Sequence, residues 1–265
     1  MNVIAETGFK GRRLGWMDAV RGVAMLLVVW HHFMNGAFSG VAAGVVETLT
    51  SFEVPLFFFV SGFFAWKAQW RADGVSLWRS LGHKARPLLC GTAVFYAVWQ
   101  LRNGNGVLDF LFEGFWGYWF TVALFQMLVA YIAIVWLARR VGHESVVWWG
   151  LGALTVLTVG AVKVADGLLL TDRVCVVLSW YQVCNCFQFF AAGVVARRVW
   201  PRLERLMARR CTFPLSVAVF AGIVWLCHWD GLPHAVYQLP HGMAMRYAGV
   251  AMVVGGFYTC RMAVE

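Results

Sequence analysis

Two ionisable side chains stand where an apolar stretch of chain has least use for them. In Asp18-Ala-Val-Arg-Gly-Val-Ala-Met-Leu-Leu-Val-Val-Trp-His-His-Phe33, Arg21 and His32 lie eleven residues apart. On a helix, eleven steps of about 100° make about three turns, so both side chains share one face roughly 16 Å apart along the axis. Insertion scales put a charged residue at the centre of a membrane helix about 2.5 to 3.5 kcal/mol uphill, a cost that calls for a functional reason. Histidine exchanges a proton near neutral pH, so the pattern points to acid–base chemistry inside a membrane. His31 is turned about 100° away from the Arg21 face and ranks second.

A third candidate is Glu53, in Phe52-Glu-Val-Pro-Leu-Phe-Phe-Phe-Val-Ser-Gly-Phe-Phe64. Pro55 frees backbone groups there, and Ser61 and Gly62 permit close approach of a neighbouring helix. If this helix runs antiparallel to the first, Glu53 reaches the level of His32. Its carboxylate would then orient the imidazole and stabilise the imidazolium, as a carboxylate does in hydrolase triads. The alternative for Glu53 is an interfacial carboxylate facing headgroups.

The elements that must position these residues follow from composition. Hydrophobic residues make up 61% of the chain and charged residues 13%, against roughly 45 to 50% and 25% in soluble domains, which indicates an integral membrane protein. Apolar runs near 16–37, 49–69, 86–102, 117–138, 146–164, 175–196, 213–229 and 243–260 have the length of transmembrane helices. The expected fold is therefore all-α, a polytopic bundle of about eight spans in one domain over residues 1–265. Of the 22 lysines and arginines, seventeen fall on the side of the N-terminus, three on the other, and Arg21 and Arg246 inside spans. That bias sets the N-terminus in the cytoplasm. It also explains the net charge of +9 without nucleic acid as a partner.

The first run follows basic residues as a secretory signal would, but seven further spans and the histidines within it favour an uncleaved helix. The seven cysteines form no C-x-x-C pair and read as small buried hydrophobes. Residues 197–210 form the longest polar stretch, a basic loop or interfacial helix suited to anionic headgroups.

Taken together, Arg21-x10-His32 and Val54-Pro-Leu-Phe-Phe-Phe-Val-Ser-Gly-Phe-Phe64 resemble the membrane-bound acyltransferase-3 family. Its members are bacterial integral membrane proteins that O-acylate, usually O-acetylate, surface carbohydrates from acetyl-CoA. Gly117-Tyr-Trp-Phe-Thr-Val-Ala-Leu-Phe125 is similar to the family's aromatic segment opening a middle span. Phe187-Gln-Phe-Phe-Ala-Ala-Gly193, followed by Arg197 and Arg198, is similar to its Phe-Phe-x-x-Gly segment. The family's basic pair in the first cytoplasmic loop is matched by His83-Lys84-Ala85-Arg86, so Arg86 and Lys84 carry over. Relatives commonly have more spans than the number read here, which implies a short or truncated member lacking its last spans.

The resemblance implies roles. His32 would act as the general base on a sugar hydroxyl, or carry the acyl group itself. Arg21, near the cytoplasmic headgroups, would fork onto CoA phosphates or hold the pantetheine arm, with snorkelling and pairing to Asp18 as the alternative. Arg79, Lys84 and Arg86 would hold the nucleotide phosphates of acetyl-CoA, though cytoplasmic loops are basic for topological reasons as well. Trp119 and Tyr118 would stack on the sugar or serve as interfacial aromatics, and Arg246 would contact substrate from inside its span. No resident cofactor or metal is expected. The expected partners are acetyl-CoA, a carbohydrate or glycolipid acceptor, and the lipid of a bacterial cytoplasmic membrane. A transporter or flippase using Arg21, His32 and Glu53 as a substrate or proton path is the rival reading, against which stands the lack of any inverted repeat.

Overall fold

The computed structural model describes residues 14–37, 43–66, 74–104, 106, 119–227 and 240–264. Among these residues there are ten helices and no strand: α1 Gly15–Ala37, α2 Ala43–Ala65, α3 Gly74–Arg102, α4 Trp119–Val141, α5 Ser145–Thr171, α6 Arg173–Val177, α7 Trp180–Arg198, α8 Trp200–Met207, α9 Thr212–Cys227 and α10 Pro240–Val264. Wherever they are described, the eight apolar runs lie on these helices, so the all-α expectation holds. Two local differences are informative. The 175–196 run is broken at Leu178–Ser179, where Ser179 takes a positive φ of 55°. The 146–164 run extends to Thr171 through a kink at Ala165.

By length and apolarity, α4 and the Ser145–Ala165 part of α5 are each sufficient to cross a membrane, and α8 with α9 is a third candidate bent by 88°. The fold is that of a helical membrane protein. α1 is 23 residues long but carries Arg21, His31 and His32, which dilute its apolarity.

The helices divide into two compact units, Met1–Phe63 with Gly193–Glu265, and Phe64–Ala192. In the first, α10 packs on α1, α8 and α9, and α8 also packs on α9. On α1 the buried residues Met17, Val20 and Ala24 recur at helical spacing and form one stripe. The approach of α2 to the end of α7 is closer than side chains allow. A Cβ on Gly193 would lie 2.0 Å from the Phe59 carbonyl oxygen and 2.8 Å from the Phe63 nitrogen. Only glycine lets the two backbones meet in this way. Nearby, Trp16, Phe63, Trp200 and Tyr258 form a buried aromatic cluster with ring centroids 5.3 to 6.1 Å apart.

In the second unit α4 packs against both α3 and α5, and α5 against α6. Gly142, with φ of 78°, closes α4 in a Schellman turn: the amide of His143 donates to the Ala138 carbonyl and that of Gly142 to the Ala138 and Arg139 carbonyls. Asp172 caps α6, accepting from the amides of Val174 and Cys175 at 3.0 and 3.1 Å. Side chains join the helices: Thr92 Oγ1 donates to Thr121 Oγ1 at 2.6 Å, and Gln126 Nε2 donates to the Leu178 carbonyl at 2.6 Å. The second bond satisfies a carbonyl at the break between α6 and α7.

Candidate active site

The first helix presents two stripes. The buried one, Met17, Val20 and Ala24, continues at the same spacing to His31, which is half-buried. The open one runs Arg21, Met25, Val29 and His32, all exposed. The shared face of Arg21 and His32 expected from their spacing is thus present, and it is the open side of α1. Because one residue turns the helix by about 100°, His31 and His32 point to different surroundings while their rings stay stacked, with centroids 5.6 Å apart and planes at 14°.

Glu53 sits on α2 at 3% exposure, among the most buried charged groups of the first unit. His31 Nδ1 donates to Glu53 Oε1 at 2.5 Å, a charge-assisted bond in a low-dielectric setting. The direct contact expected between Glu53 and His32 is not made: the carboxylate bonds His31 instead. The reason is helical phase, since His31 continues the stripe that α1 buries and His32 has turned onto the open one. The interfacial alternative for Glu53 is also set aside, because the carboxylate is buried. Its second oxygen, Oε2, is buried with no hydrogen-bond partner among the described residues.

Arg246 is half-buried on α10. One turn further on, Gly249 takes the ring of Phe52: a Cβ there would lie 2.6 Å from Phe52 Cγ. Phe52 is the neighbour of Glu53, so α10 passes α2 at the level of the carboxylate. Phe52 also meets Phe220 of α9 edge to face at 5.5 Å. Arg21, His31, His32, Glu53 and Arg246 all belong to the first unit.

The other candidates lie in the second unit. Arg79, His83 and Arg86 are exposed on α3 at positions four and three residues apart, which places them on one face. Lys84 stands on the same helix. Trp119 is half-buried at the first turn of α4, two residues before the Thr121 that α3 holds. Tyr118 lies outside the described residues. No cluster of three or more metal-ligating side chains occurs among the described residues.

Two features escaped the sequence reading. One is the role of His31, which the stripe Met17, Val20, Ala24 would have revealed had the buried face of α1 been identified first. The other is Gly193, quoted only as part of a motif, whose lack of a side chain is a packing requirement. On α2 it is the backbone of Phe59 and Phe63 that meets Gly193.

These observations define a helical membrane protein with an imidazole and a guanidinium on the open face of its first helix and a carboxylate–imidazole pair beside them. The acyltransferase-3 family model, described as an acyltransferase domain, matches residues 14–261. The chain belongs to that family, and it is an acyltransferase. No curated protein and no solved structure gives a match.

Proposed function

We propose that this enzyme is a membrane O-acyltransferase that moves an acetyl group from acetyl-CoA to a hydroxyl of a carbohydrate or glycolipid. The observation that supports this reading most directly is the open stripe of α1, which sets Arg21 and His32 on one face of a helix in a family of acyltransferases. An alcohol is a poor nucleophile at neutral pH and needs a base. His32 takes the hydroxyl proton as the alkoxide oxygen attacks the thioester carbonyl. The tetrahedral intermediate collapses, the carbon–sulfur bond breaks, and the imidazolium returns its proton to the departing CoA thiolate. The products are an ester and free CoA.

Arg21 lies at the cytoplasmic end of α1 if the N-terminus is cytoplasmic, as the charge bias argues. There its fork suits a CoA phosphate or the mouth of the pantetheine path. Arg79, Lys84 and Arg86 on α3 supply positive charge for the remaining phosphates. Trp119 and Tyr118 offer aromatic faces to a sugar, and Arg246 a polar contact to the acceptor. In this reading the chain crosses the bacterial cytoplasmic membrane about eight times, with donor arriving from the cytoplasm and acceptor modified in the outer half.

The test is transfer itself. Membranes containing the protein, supplied with acetyl-labelled acetyl-CoA, should place alkali-labile label in a glycan or glycolipid fraction, and membranes with His32→Ala should not. Label that enters neither fraction while acetyl-CoA is left intact would overturn the reading in favour of a transporter.

A further inference from the structure

Glu53 and His31 form a unit that the transfer step, as written with His32 alone, does not use. Three observations meet there. A carboxylate at 3% exposure bonds one ring nitrogen of His31 at 2.5 Å. Its other oxygen is buried and has no hydrogen-bond partner among the described residues. The bonded ring stacks on His32 at 5.6 Å and 14°.

A buried carboxylate is expensive unless bonded, and the bond from His31 is the interaction the structure gives it. His31 is the link: it bonds Glu53 and its ring lies against that of His32. The stack limits how His32 can turn, because its neighbour is held by Glu53 of α2. On an open helix face, an unpinned imidazole would sample several rotamers.

We infer that His31 and Glu53 act together as a positioning pair for His32, fixing the orientation of its ring and stabilising the positive charge it gains in the transition state. This rests on the proposed role of His32 as base. The pair touches no reacting atom. While it holds His32, the acceptor proton moves to His32, the acceptor oxygen bonds the acyl carbon, the carbon–sulfur bond breaks, and the proton leaves with the CoA thiolate. The carboxylate contributes where charge develops, which is the condition for lowering a barrier rather than merely binding substrate.

The experiment is steady-state CoA release by purified full-length protein with acetyl-CoA and the acceptor glycan fraction. Wild type is compared with His32→Ala, Glu53→Gln, His31→Phe, His31→Asn and the Glu53→Gln/His31→Phe double variant. Glu53→Gln keeps shape and removes charge. His31→Phe keeps a flat ring beside His32 and removes the nitrogen, whereas the Asn amide can still donate to the carboxylate. A positioning pair predicts kcat lowered about 10- to 100-fold in Glu53→Gln and His31→Phe with KM for acetyl-CoA unchanged. His31→Asn should keep several-fold more activity than His31→Phe, and the double variant should fall no lower than the worse single one, as groups acting as a unit do.

A merely structural contact would lower thermal stability and yield while leaving kcat of the folded fraction unchanged, and that result overturns the inference even as His32→Ala remains inactive. Full activity in His32→Ala would instead overturn the reading on which the inference depends.

Discussion

The two units face the same physical problem and meet it differently. Inside a bilayer there is little hydrophobic drive to bring helices together, so packing and interhelical polar bonds must do it. The second unit uses ordinary side-chain bonds between its helices: Thr92 to Thr121, Gln126 Nε2 to the Leu178 carbonyl, and Trp180 Nε1, which donates to Gln126 Oε1 at 3.0 Å. Its α4 and α5 are also the helices most plainly able to span. The first unit joins α2 to α7 by bare backbone at Gly193 and α10 to α2 at Gly249, and places its ionic pair, His31 with Glu53, between α1 and α2. Its α1 looks less like a span because it carries Arg21, His31 and His32. The contrast teaches that span character and chemical character compete for the same positions. A polar bond in the second unit serves assembly, and on the proposed account those on α1 and α2 serve turnover.

That contrast can be broken from either side. The largest effect expected is on turnover in the first unit: His32→Ala should lower kcat by about 10²- to 10⁴-fold, the range for loss of a general base, while the detergent-solubilised protein keeps its size-exclusion profile. Next comes assembly of the same unit. Gly193→Ala should destabilise by about 1 to 3 kcal/mol or more, since overpacking here meets backbone that cannot yield, and a thermal-shift assay should show it. The companion change Gly150→Ala in the second unit meets only the Ile134 side chain, at 2.8 Å, and should cost less in the same assay.

A smaller effect tests where the second unit touches function. Arg79→Gln with Arg86→Gln should raise KM for acetyl-CoA about 10-fold, equivalent to one phosphate contact, and leave kcat alone. The smallest is Gln126→Ala. It should cost about 0.6 to 1.7 kcal/mol, as interhelical hydrogen bonds in membranes do, with kcat and KM unchanged. A loss of kcat there would erase the distinction between the units.

Much of this was legible in the chain. Length and apolarity located the helices, because a bilayer admits few alternatives to a long hydrogen-bonded helix. The spacing of Arg21 and His32 placed them on one face, because helical phase over eleven residues needs no tertiary information. The partner of Glu53 was not legible. Choosing between adjacent histidines requires knowing which stripe of α1 is buried, and Met17, Val20 and Ala24 differ little in apolarity from Met25 and Val29 on the open side. The break at Leu178–Ser179 was equally hidden, since it depends on Gln126 from a distant helix supplying the missing bond. Gly193 was visible as a glycine, but its contact with Phe59 is a property of two helices together.

The central claim is that the open stripe of α1 carries the chemistry. Its most direct test is the initial rate of CoA thiol release from acetyl-CoA by purified protein with the acceptor glycan fraction, wild type beside His32→Ala at equal folded concentration. The account predicts steady release by the wild type and loss of nearly all of it in the variant, with acetyl-CoA still bound. Equal rates in the two proteins would contradict it.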